Sequence, residues 1–310
     1  MTIADLGVVV VTYNNETDLP HCLNALQNNA SGAHVVVRDC GSSDGTVAAA
    51  RRHPAVDKVI AGANVGFGAA SNDAVRQFDH PVEMILFLNP DAAIDCDVAE
   101  LLEYVESFGD FGCVGIQQRS LEGELVWSWD KFPTPALEWQ KARRMPLFQR
   151  SPAGYTEDRQ VEWNMGAFML IPLTAFQAVD GFDERFFLFY EEIDLCQRLA
   201  AIGRPTYYVH KFEYRHDRSD KATLWREVLR LNSRREYDRK WLSRIDTLQC
   251  QFAQSYRWLH DAVRPPRPRD RKLVVPRLLA TWNLIRAIVP PDRIGADLNS
   301  WQAVRPFWRA

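Results

Sequence analysis

The chain has no Cys-x-x-Cys pair; its six cysteines, at positions 22, 40, 96, 113, 196 and 250, stand far apart. That spacing excludes a disulfide framework or a zinc ribbon and points to reduced thiols in a cytoplasmic protein. No apolar run approaches a membrane span. Met1 leads into strand-like residues 8–11 without the basic and then apolar stretch of a secretory signal, so none is expected. The fingerprint Gly-x-Gly-x-x-Gly is missing as well. Residues 62–68, Gly-Ala-Asn-Val-Gly-Phe-Gly, space their glycines differently, and no acid follows in the ribose-binding role, which disfavours a nicotinamide enzyme. Residues 13–16 hold no basic, glycine-rich activating loop, which argues against a sugar nucleotidyltransferase. There is no internal repeat and no low-complexity tract.

What is present is an ordinary globular composition, 46% hydrophobic and 25% charged over 310 residues, with room for a large α/β domain and an appendage. The net charge of −3 conceals an asymmetry: residues 204–310 carry 23 Lys and Arg against 11 Asp and Glu, and the rest carries 14 against 29. A basic tail is a solvated face or meets phosphates. Nucleic acid ranks last, because the charged helices offer few aromatics for stacking.

Apolar runs at 8–11, 35–37, 56–60 and 84–88 alternate with helical stretches, the rhythm of a parallel, doubly wound sheet with its ligand crevice at the carboxyl ends of the strands. Leu19, Cys22, Leu23 and Leu26 form one helical stripe behind a Thr17 or Asp18 cap. A second helix is expected to open at Ser42, Ser43 or Asp44, and a third to run from Gly68 to Phe78. Residues 127–160, rich in Trp and Pro, read as an excursion outside the core. A strand at 166–171 and a helix at about 172–179 follow, and residues 222–262 read as charged helix. Pro265, Pro266 and Pro268 mark a linker. The expected division is 1–220 for the α/β domain, 221–264 for a charged helical segment and 265–310 for a basic amphipathic extension.

Candidate chemistry gathers at strand ends. Asn89-Pro90-Asp91 follows the run 84–88; Pro90 stops the strand and leaves the Asp91 charge free for a cation. Thr12, Tyr13 and Asn14 end the first strand in groups suited to a nucleobase or ribose, and Asp39 ends the second beside Gly41. Asn64, Gly66 and Gly68 precede a helix whose amino terminus could offer N–H groups to phosphate. Glu191, Glu192 and Asp194 crowd between an aromatic run and an amphipathic helix. Capping accounts for Asp194, and one glutamate is left beside a Phe wall that raises its pKa and suits a general base. Trp163 is an acceptor-side or structural residue, and His216 stands 24 residues beyond Glu192.

The ordered series Val10-Val11-Thr12-Tyr13-Asn14, Asp39 with Gly-Ser-Ser-Asp-Gly-Thr, Asn64-x-Gly66-Phe67-Gly68-x-x-x-Asn72, Asn89-Pro90-Asp91, Gly166-Ala167-Phe168-Met169 and Gly181-Phe182-Asp183-Glu184 to Asp194 resembles the family 2 inverting glycosyltransferases of the GT-A fold. It is most similar to bacterial rhamnosyltransferases of cell-wall and surface polysaccharide synthesis, over roughly residues 6–220. The resemblance implies a Rossmann-like, mostly parallel sheet, a nucleoside-diphosphate sugar donor, Mg2+ or Mn2+, and a glycan or polyprenyl-diphosphate-linked acceptor. By position it gives Thr12, Tyr13, Asn14, Asp39, Gly41, Asn64, Gly66, Asn72 and Asn89 to the donor, Asp91 and His216 to the metal, and the base to Glu192 or Glu191. Asn89 stands where many relatives carry an Asp, and Glu192 where the base is usually an Asp. A degenerate, non-catalytic nucleotide-sugar binder or scaffold is the competing reading. Residues 272–289 fit a packed helix, an oligomer contact or an interfacial helix on an anionic membrane, which would place the chain on the inner face of the plasma membrane.

Overall fold

The computed structural model describes residues 2–216 and 224–263; the 265–310 extension lies outside the described residues. Its first half alternates as read: β1 (Leu6–Thr12), α1 (Leu19–Asn29), β2 (His34–Asp39), α2 (Thr46–Arg52), β3 (Lys58–Ala61), α3 (Phe67–Val75) and β4 (Met84–Leu88). Next come β5 (Ala92–Ile94), α4 (Val98–Glu106), β6 (Cys113–Arg119), β7 (Leu125–Val126), β8 (Trp129–Asp130), α5 (Pro135–Ala142), β9 (Arg159–Val161) and β10 (Trp163–Asn164). The described chain closes with β11 (Phe168–Pro172), α6 (Leu173–Ala178), α7 (Glu191–Ala201), β12 (Thr206–His216), α8 (Leu224–Trp241) and α9 (Arg244–Val263).

The main sheet runs β3-β2-β1-β4-β11-β6-β12-β5. Its first four strands are parallel, with Thr12 level with Asp39. β11 enters antiparallel to β4, Phe168 opposite Leu88, so the carboxyl end of one meets the amino end of the other. Strand alternation sends Val8, Val10, Leu86 and Leu88 to the layer of α1 and α4, and Val9, Ile85 and Phe87 to the layer of α3, α6 and α7. The stripe Leu19, Cys22, Leu23 and Leu26 is buried as its spacing requires. All six cysteines are free.

Several local expectations are corrected. α1 begins after Asp18, whose side chain makes no capping bond. α2 starts at Thr46 behind Gly45, because Asp44 spends Oδ1 on the Thr46 amide and hydroxyl and Ser42 and Ser43 bind Asn14. The third helix spans Phe67–Val75 and stops short of Phe78. Residues 127–160 are no excursion: Trp129 and Tyr155 build a buried satellite core with Val161 and Tyr208, and α5 packs along α9. There the buried Arg234 of α8 pairs with Glu138 of α5 and with Asp238.

Candidate active site

β12 runs antiparallel to β5 with His216 opposite Ala92, one residue beyond Asp91. The pairing brings His216 Nε2 to 3.1 Å from Asp91 Oδ1 although 125 residues separate them. The carboxylate is 31% exposed and the imidazole 14%. Behind the ring, Gln118 Nε2 lies 3.1 Å from His216 Nδ1, and the Tyr214 hydroxyl donates to Gln118 Oε1 at 3.0 Å. This relay fixes the plane in which the imidazole ring lies. Sequence reading missed Gln118, a polar strand residue whose only signal is its place on β6 beside β12.

The Asp91–His216 pair suits a hard divalent cation. Two neighbouring ligands of an octahedral ion, each about 2.1 Å from it, stand about 3.0 Å apart, close to the spacing seen. Among the described residues no cluster of three or more His, Cys, Asp and Glu forms a cage. One carboxylate and one imidazole therefore leave most of the coordination sphere to phosphate oxygens and water, the usual habit of magnesium.

The glutamate pair is delivered differently. Phe189 and Tyr190, immediately before α7, both adopt left-handed backbone (φ 71° and 68°). Consecutive bulky residues there are strained by about 1–3 kcal/mol each, a cost that persists only where the surroundings over-determine it. α8 supplies the restraint: Ser233 Oγ donates to Leu188 O at 2.8 Å, the Tyr190 and Tyr237 rings lie 5.5 Å apart, and the Tyr237 hydroxyl donates to Gln197 on α7. Gly66 fixes the same segment from the other side. At φ +91° it brings Phe67 N to 2.8 Å from Phe187 O, where a Cβ would meet that oxygen at 2.3 Å.

From this turn the two side chains diverge. Glu191 is 5% exposed and its Cβ faces Gly68, whereas Glu192 lies along Gly166, its Cβ, Cγ and Cδ within 4.0 Å of where a Gly166 side chain would begin. The next residue, Ala167, accepts through its carbonyl from Asn89 N at 3.0 Å. Glu192 thus adjoins the strand junction that carries Asn89-Pro90-Asp91. Burial pushes the Glu191 carboxyl well above the usual range, with the neighbouring Glu192 charge adding to it. Burial also raises Glu192, to about 7, against the opposing pull of its own, Ile193 and Tyr190 backbone groups. Oε2 of each is buried without a hydrogen-bond partner. Such orphan oxygens are costly and require an explanation.

Asp194 is no cap. Fully buried, it accepts from Arg198 Nε at 2.8 Å and Trp241 Nε1 at 2.8 Å and pairs with Lys240 at 2.7 Å, clamping α7 to α8. Asp194→Ala strands two cations and is expected to destabilise the fold by about 3–5 kcal/mol, measurable by urea unfolding.

At the other end of the crevice, Asp39 Oδ1 accepts from the Thr12 and Ser42 hydroxyls and Oδ2 from the Gly41 and Ser42 amides. Four internal bonds occupy the carboxylate, so Asp39 and Thr12 together hold the shape of this loop. Asn14, at φ 55°, holds the Ser43 amide with its side-chain oxygen, and Gly41 (φ +78°) turns the chain against Gly62. Tyr13, 41% exposed, is left as an open ring at the tip. Asn64 Oδ1 caps Gly66 N. The Asn72 side-chain amide exchanges bonds with Phe182 O and N at 2.8 and 2.9 Å and pins the turn before Asp183. At the start of α3, Phe67 N is taken by Phe187 O. Trp163 is structural, 6% exposed with Nε1 donating to Lys131 O at 2.9 Å.

Comparison with known proteins identifies the family. A model described as "Glycosyltransferase like family 2" matches residues 4–238. The chain is 30% identical over 238 residues to N-acetylglucosaminyl-diphospho-decaprenol L-rhamnosyltransferase of Mycobacterium tuberculosis, covering 69% of this chain and 76% of that one. It is 28% identical over 244 residues to Escherichia coli rhamnosyltransferase WbbL, covering 70% and 88%. Among solved structures it is similar in fold to S. aureus TarS 1-349 in complex with UDP-GlcNAc (TM-score 0.54, 16% identity, 93% of this chain and 82% of that one). It is equally similar to the mannosyltransferase PcManGT from Pyrobaculum calidifontis in complex with GDP-Man and Mn2+ (TM-score 0.54, 17% identity, 98% and 81%). The chain therefore belongs to the family 2 glycosyltransferases and carries their GT-A fold.

Proposed function

We propose that this glycosyltransferase transfers a rhamnose-type sugar, with inversion, from a nucleoside-diphosphate donor to a hydroxyl of a polyprenyl-diphosphate-linked or glycan acceptor. The names of its relatives support the sugar and the lipid-linked acceptor. One observation carries the mechanism: the buried, unpartnered Oε2 of Glu192 beside Gly166. A carboxylate so placed takes the proton of an acceptor hydroxyl as that oxygen bonds to the anomeric carbon. The nucleoside diphosphate leaves from the opposite face. Glu191, turned to Gly68 and kept protonated by burial and by its neighbour's charge, is not the base. Tyr13 offers its ring to the nucleobase. Asp91 and His216 would hold Mg2+ or Mn2+ together with the donor's phosphates, and the ion, when bound, neutralises the charge growing on the leaving group.

Thermal-shift measurement against nucleoside diphosphates and their sugars, with and without manganese, tests the reading. One base is expected to raise the unfolding temperature, since ligand at about 100-fold its Kd adds about 2.7 kcal/mol to the native state. No shift with any nucleotide, with or without the ion, overturns it.

A further inference from the structure

α9 has two apolar faces. Cys250, Ala253 and Trp258 are buried against the body of the protein, yet Ile245, Leu248, Phe252, Tyr256 and Leu259 recur every three or four residues on the outer side and are 50–68% exposed. Helix periodicity places these five on one stripe. The acids of α9 are committed elsewhere: Asp261 pairs with Arg144, and Asp246 accepts from the Ser243 hydroxyl at the first turn. Along its edge the Tyr256 ring lies 5.9 Å from Trp139, over which Arg143 stacks at 5.4 Å. Immediately after α9, residues 264–291 carry seven Lys and Arg and one Asp.

We propose that the outer face of α9 docks on an anionic lipid surface. An apolar stripe with aromatic residues at its margin, followed by a cationic segment, is the pattern of an interfacial helix on acidic headgroups. The excess of cations in that segment favours acidic headgroups as the occupant, and its apolar residues between 273 and 289 make the tail itself the alternative that the test separates. The inference stands on α9 alone and not on the roles of Glu192 or Asp91, so each reading can fail without the other. It gives the enzyme a fixed attitude toward an acceptor embedded in a bilayer.

The test is flotation of the full chain with vesicles of phosphatidylcholine alone or mixed with phosphatidylglycerol. Wild type is expected on the anionic vesicles. A Leu248→Glu/Phe252→Glu full-chain variant should bind them at least about tenfold less, since each methylene withdrawn from water is worth about 0.8 kcal/mol. Its nucleotide-induced thermal shift should be unchanged, and the milder Ile245→Ser/Leu259→Ser pair should show the same loss. Undiminished flotation of both variants, or equal binding of wild type to neutral vesicles, overturns the proposal. So does either lipid-free result: a dimer that the variant dissociates, meaning a second copy covers the stripe, or hydrogen-exchange protection at 245–259 that it abolishes, meaning the tail does.

Discussion

Asp91→Ala should yield a folded protein that no longer transfers sugar. The fold tolerates the change because the carboxylate is partly exposed and the β5–β12 pairing that carries the loop is made by backbone groups. The reaction does not, because Asp91 is the one anionic member of the Asp91–His216 pair. Losing several kcal/mol of leaving-group stabilisation corresponds to about a thousandfold or more in rate. Initial rates across a manganese titration measure the loss, and circular dichroism confirms folding. Asp91→Asn, which keeps an oxygen toward His216 without the charge, should be nearly as inactive. Chelator should silence wild type, and added manganese should restore it. Transfer by Asp91→Ala in the presence of chelator at a rate within tenfold of untreated wild type would refute the metal assignment.

Glu192→Gln should cost about 10²- to 10⁴-fold in kcat, the usual worth of a general base, whereas Glu191→Gln should cost far less. Because burial raises Glu192 to about 7, wild-type kcat should climb as pH passes that value and level off above it; the Gln variant should be flat there. Stability moves the opposite way. A carboxyl raised in the folded state supports folding below its unfolded value, near about 4.3, and loses that support as pH rises through its folded value. Both Gln variants should therefore melt higher than wild type at pH about 8 and alongside it at pH about 4. Equal kcat losses for the two variants would contradict the division of roles drawn here.

The strands of the first half, the buried face of α1, β11 and the charged helices were legible because each follows from local periodicity. The Asp91 loop was legible because proline stops a strand. Pairing it with His216 needed the resemblance, since a separation of 125 residues carries no local signal. What local sequence does not show is which partner reaches a polar group first. Asp39, Asn72 and Phe67 N look free in the sequence, but each is claimed by a partner that only the folded chain supplies: Ser42 and Thr12, Phe182, and Phe187 O. At Gly66 the close approach of Phe187 O, invisible in the sequence, is what demands a glycine. The left-handed Phe189 and Tyr190 were invisible for a different reason: sequence predicts comfortable backbone, and this turn is not comfortable.

That turn separates two supports of the crevice. The groups at the nucleotide end are set by the strands themselves, but the aim of Glu192 is set by α8, a fastener from a later stretch of chain that grips Leu188, Tyr190 and Asp194. A change in α8 would therefore redirect Glu192 while leaving the Thr12–Asp39 loop, which rests on β1 and β2, where it is.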